Sequence, residues 1–78
     1  MTHQPRLFLR LGDRVIHLAH QAWGEGVVVE EMTSTLTGGT CLVRIRFADG
    51  QQRTFYNDLD HDLCCYYFGV RRSSVPFF

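Results

Sequence analysis

Two glycines bracket one acidic residue, Gly24-Glu25-Gly26, directly after Trp23 and directly before Val27-Val28-Val29. This spacing constrains the fold more than any other feature of the chain. A β-branched run bounded by Gly and turn residues reads as a strand. Glycine within a strand pattern marks a bulge, a sharp bend or a close approach of two backbones. The stretch Gly12 to Glu31, GDRVIHLAHQAWGEGVVVEE, therefore reads as the first corner of a small, strongly curved β-barrel. Gly12-Asp13 turns the chain into a short strand carrying Val15 and His17, and Trp23 plugs the space beside the bend.

The clearest hairpin follows. Cys41, Val43, Ile45 and Phe47 alternate with Leu42, Arg44, Arg46 and Ala48, and Asp49-Gly50 supplies the turn. A two-residue turn would set Arg46 opposite Arg53 and leave Phe55 facing outward. A glycine-bulged turn sets Phe55 opposite Val43, on the core side. Opposed like charges are unfavourable, and burying Phe55 gains roughly 1.5–3 kcal/mol, so the bulged register is expected. Arg44, Arg46, Thr54 and Tyr56 then share the outer face.

Elsewhere the pattern is plainer. Arg6 to Leu11 alternates and reads as an edge strand within an N-terminal extension over residues 1–11, with Leu7, Leu9 and Leu11 on one side. Residues 33–40, TSTLTGGT, form a polar loop that reads as mobile. Asn57 to Asp62 suits a single helical turn with Leu59 pointing inward. Leu63 to Arg71 reads as an aromatic final strand, with Cys64, Tyr66, Phe68 and Val70 on one face. The barrel spans residues 12–72 and a tail ending in Phe77-Phe78 covers 73–78. The fold class is all-β: a five-stranded SH3-like barrel with one short helical turn before the last strand.

Composition narrows the function classes. Seventy-eight residues make at most one domain with a thin core. Eight basic and eight acidic side chains cancel, which removes the simplest signature of a nucleic-acid binder. All eight basic residues are Arg, whose planar fork suits carboxylates, phosphates and aromatic faces. Three cysteines, two of them adjacent, do not make a disulfide framework and fit a reducing cytosol. No run approaches the length of a membrane span.

Gly12-Asp13-Arg14-Val15-x-His17 followed by Trp23-Gly24-x-Gly26-x-Val28 resembles the opening of small bacterial Tudor-like domains. These occur as short stand-alone proteins, and a similar one ends the UvrD and PcrA helicases. Val43-x-Ile45-x-Phe47-x-Asp49-Gly50, with Phe55 and Leu59, resembles the Tudor hairpin, and Gly69-Val70-Arg71-Arg72 resembles the end of the RNA-polymerase-interacting domain of CarD-type regulators. The resemblance covers roughly residues 12–72. The adjacent cysteines, the aromatic last strand and the N-terminal extension depart from it. It implies a barrel that docks onto RNA polymerase or another transcription or repair protein, in some cases nucleic acid.

No cofactor or metal is expected, because the four histidines and three cysteines lack zinc-site spacing. His17 reads as a partly buried histidine bonded to backbone. No catalytic constellation stands out: Cys64 and Cys65 lack the electropositive setting of a reactive thiol. The aromatic residues fit a barrel interior or, alternatively, a cage for a methylated cation. Arg44, Arg46, Arg71 and Arg72 with Tyr56 and Tyr67 are the candidate partner-binding residues. They would meet carboxylates on a protein or, alternatively, phosphates and bases.

Overall fold

Gly26 is where three strands meet. Its neighbours across the sheet are Val15 on one side and Phe47 on the other. A Cβ at this position would lie 2.6 Å from the Ile45 Cγ2 and 2.9 Å from the Phe47 ring. The absent side chain is what lets the two layers close, because packed interiors leave no room for an extra methyl. Gly24 serves differently: at φ +79 it takes a left-handed conformation that other residues resist.

The computed structural model describes residues 6–34 and 39–73. Met1 to Pro5, the centre of the loop at 33–40 and the Phe77-Phe78 tail lie outside the described residues. Five antiparallel strands form one sheet: β1 Arg14–His17, β2 Gly26–Thr33, β3 Cys41–Phe47, β4 Gln52–Tyr56 and β5 Val70–Arg72. Their order is β4-β3-β2-β1-β5. The sheet curls into a half-barrel of the small SH3-like kind, as the sequence led one to expect. Beyond the strands, only two short 3-10 turns are helical among the described residues, Gln21–Trp23 and Cys65–Phe68. A bulge between Val28 and Glu30 adds curvature within β2.

The β3–β4 hairpin has the bulged register. Val43 faces Phe55, and Arg46 faces Gln52 rather than Arg53. Gly50 (φ +88) follows Asp49, whose carboxylate accepts the Gln51 N–H at 2.9 Å. Val15, Val28, Val43, Ile45, Phe47, Cys64, Cys65 and Val70 form the core with Phe8 and Leu9, and Trp23, Phe55 and Leu59 pack against it.

Three expectations need correction. Arg6 to Leu11 is not an edge strand: it makes one isolated bridge, Leu7 to Asp58. Phe8 and Leu9 are both buried while Leu11 is exposed, which no alternating strand allows. The cause is Asn57, whose carboxamide replaces a ladder. It accepts the Leu9 N–H at 2.8 Å and donates to the Leu9 carbonyl at 2.9 Å. Second, the helical turn is not at Asn57 to Asp62, where Asp58 instead organises a turn by accepting the Asp60 N–H at 2.9 Å. It comes later, at Cys65–Phe68, and ends at Gly69, which is left-handed at φ +113. Third, the final strand is only Val70–Arg72, not Leu63 to Arg71. The 3-10 turn buries the neighbours Cys64 and Cys65 together and turns Tyr66, Tyr67 and Phe68 outward.

Candidate interaction surface

The six candidate partner-binding residues stand on two parts of the fold. Arg44, Arg46 and Tyr56 stand on the β3–β4 hairpin. Arg71 and Arg72 stand on β5, at the other end of the strand order, with Tyr67 on the 3-10 turn before it.

Their electrostatic states differ too. Six of the chain's eight arginines have a carboxylate inside the molecule. Arg44 meets Glu30 at 2.6 Å, Arg53 meets Asp49 at 3.0 Å and Arg72 meets Asp13 at 3.5 Å. Arg6, Arg10 and Arg14 meet Asp60, Glu31 and Glu25. Such exposed pairs add little stability, but they neutralise the charge available to a partner. Among the described residues only Arg46 and Arg71 make no ion pair. Arg46 is exposed and makes no side-chain hydrogen bond there.

Arg71 is held without being neutralised. Its guanidinium donates to the Tyr66 carbonyl at 2.7 Å and the Val70 carbonyl at 3.0 Å, and lies 4.0 Å from the centre of the Tyr66 ring. Across the β1–β5 ladder it faces Ile16, which is exposed. Two residues further along, past the His17–Val70 pair, the Leu18 N–H donates to the Gly69 carbonyl at 2.8 Å. Leu18 is 47% exposed, and Phe68, next to Gly69, is 56% exposed. Exposed apolar side chains thus stand on the same two paired segments as an uncompensated cation. Sequence reasoning missed Phe68 because an extended Leu63 to Arg71 sets it on the face of Cys64 and Val70, and missed Ile16 and Leu18 because the pairing of β1 with β5 is not written in either segment.

The remaining candidates are occupied within the fold. Arg72 donates to the Phe8 carbonyl, tying β5 to the N-terminal segment. Tyr67 donates its hydroxyl to the Leu59 carbonyl at 2.6 Å. Tyr56 stacks on His61, with ring centres 4.3 Å apart.

A second cluster of aromatic rings packs around His17, the last residue of β1. Trp23 lies parallel to His20 at 4.2 Å and edge-on to His17 at 5.0 Å and Phe47 at 5.1 Å. The place over the indole where a cage would hold a foreign cation contains the chain's own Arg53, 3.7 Å from the ring centre. His17 is buried, and its Nδ1 accepts the Ala19 N–H at 3.2 Å. Burial lowers its pKa, with smaller contributions from the His20 and Arg53 charges.

All three cysteines are free and buried. Burial pushes the Cys65 thiol up to about 12, with Cys64 adding to the shift, and raises Cys41 as well. Neither has the lowered pKa of a nucleophile. Among the described residues no group of three or more His, Cys, Asp or Glu side chains is placed to hold a metal ion. No described helix is long and apolar enough to cross a membrane. Comparison with protein-family models, curated proteins and solved structures finds no match to this chain.

Proposed function

We propose that this chain is a non-enzymatic protein-interaction module that docks through the outer face of β1, β5 and the Cys65–Phe68 turn. The supporting observation is Arg71: a pre-oriented guanidinium with no carboxylate among the described residues, beside exposed Ile16, Leu18, Tyr66 and Phe68. Arg and aromatic side chains are the residues most enriched at binding hot spots. The surface suits a protein segment that offers a carboxylate next to an apolar side chain. Arg46 provides a second, separate contact for an acidic group.

The resemblance of the Gly12–Val28 motif to bacterial Tudor-like domains supports RNA polymerase, or another transcription or repair protein, as the partner, in a reducing cytosol. Purified bacterial RNA polymerase tests this directly. Immobilised wild-type domain should capture it, and Phe68→Ser or Arg71→Glu should weaken capture at least tenfold with the circular dichroism spectrum retained. Equal capture by folded variants would rule out this face, and no capture by wild type would rule out the polymerase.

The same exposed aromatics beside Arg71 favour a second reading, a platform for single-stranded nucleic acid. Affinity for an oligonucleotide that falls steeply with salt would support it.

A further inference from the structure

His17 sits under the connector between β1 and β2. Its Nδ1 accepts the Ala19 N–H, which requires an imidazole with a free lone pair on that atom and its proton on Nε2. The following turn is built on the same residue: the His20 N–H donates to the His17 carbonyl at 3.0 Å, and the Trp23 N–H donates to the His20 carbonyl at 3.0 Å. The Trp23 carbonyl in turn accepts the Asp49 N–H at 3.1 Å, docking this turn on the β3–β4 hairpin.

A proton on Nδ1 would set two donors against each other. It would also place a cation in surroundings that contain no compensating charge. The 3-10 turn presents His20, β4 presents Arg53, and β3 presents only the Phe47 ring. From the β5 side the ring meets Gly69, where an added Cβ would lie 3.5 Å from His17 Cε1. The nearby carboxylate, Asp49, is turned to Arg53 at 3.0 Å, and no carboxylate is hydrogen-bonded to either imidazole among the described residues.

We propose that His17 is an acid-operated latch: taking up a second ring proton frees the Ala19 amide and lets residues 18–23, with the Trp23 indole, lift from the hairpin. The buried ring resists protonation until the pH falls below its ordinary 6.5, so the latch is shut above that value and opens beneath it. Asp49 is held below 3.8 by Arg53 and stays ionised through this window, so the hairpin ion pair is not the switch.

The test follows the His17 ring, the Ala19 amide and Trp23 emission from pH 7.5 down to pH 4.5, with far-UV circular dichroism alongside. Trp23 is the chain's single tryptophan, so emission reports the cluster of Trp23 with His17 and His20, and the Ala19 amide singles out His17. All three signals should change together with a midpoint below 6.5 while the far-UV spectrum holds. His17→Asn keeps a hydrogen-bond acceptor and cannot titrate, so the Ala19 amide should no longer shift over this range. His20→Asn should keep the transition and move it to higher pH. The latch is overturned if the Ala19 amide is unmoved while His17 protonates, or if the sheet unfolds at the same pH. Should His17→Asn not fold, the wild-type resonances alone decide.

Discussion

Asn57 holds Leu9 by both ends of one carboxamide. The Leu9 N–H donates to Oδ1 at 2.8 Å and Nδ2 donates to the Leu9 carbonyl at 2.9 Å, across 48 positions of sequence. Both residues are buried, so water cannot replace either bond. Asn57→Ala strands a donor and an acceptor and should cost about 2–5 kcal/mol, a large part of a small domain's stability. Asn57→Asp keeps the acceptor but turns an oxygen on the Leu9 carbonyl, and should also destabilise. Urea unfolding at neutral pH measures both.

Gly26→Ala should cost about 1–3 kcal/mol, since the new methyl meets Ile45 and Phe47 inside the packed core. Gly50→Ala meets nothing within 4 Å, so its penalty is that of a left-handed backbone alone, about 1–2 kcal/mol. Ile45→Ala, which removes the Cγ2 that the new methyl meets, should cost less in the Gly26→Ala background than alone, and its cost should be unchanged in the Gly50→Ala background. Thermal unfolding of the single and double variants separates the two causes.

Arg53→Met removes the cation over Trp23 while leaving an apolar stem in its place. A stability loss of about 1 kcal/mol is expected from the lost cation–π contact. The change should also raise the His17 pKa, because the Arg53 charge helps to lower it. The acid-induced change in Trp23 emission should therefore move to higher pH in this variant. An unmoved midpoint would show that Arg53 is electrostatically remote from His17.

Alkali should weaken the fold through Cys65. Its thiol ionises near 9.0 in an unfolded chain but only at about 12 in the barrel. The stability this represents is intact below pH 9.0 and is lost as pH rises from there towards 12. The loss approaches about 1.4 kcal/mol per pH unit. Denaturant midpoints between pH 8 and pH 10.5 should fall for the wild type and fall less for Cys65→Ala. Alkylation of native protein at neutral pH should be slow at Cys65.

The hairpin was legible because two independent forces, repulsion between Arg46 and Arg53 and the burial of Phe55, chose the same register. The bend near Gly24 and Gly26 was legible because only close packing or a left-handed backbone explains glycine there. The last quarter was not. Tyr66, Tyr67 and Phe68 favour strands by propensity, yet tertiary packing buries Cys64 and Cys65 side by side, which a 3-10 turn permits and a strand forbids. Asn57 resembled a cap because its role depends on Leu9, far away in sequence. The candidate surface was half legible. Arg46 and Arg71 were named, but which arginines keep their charge depends on carboxylates brought close only by folding.

The bond from Arg72 to the Phe8 carbonyl joins positions 64 residues apart. Phe8 and Leu9 therefore have no complete set of partners until residues 57–72 have been made. Their apolar side chains must wait uncovered while the hairpin forms first, and pairings so distant in sequence are slow to find. A nascent chain stalled between residues 57 and 72 should consequently leave Phe8 incompletely covered and open to chaperones and proteases, although the β3–β4 hairpin is already made.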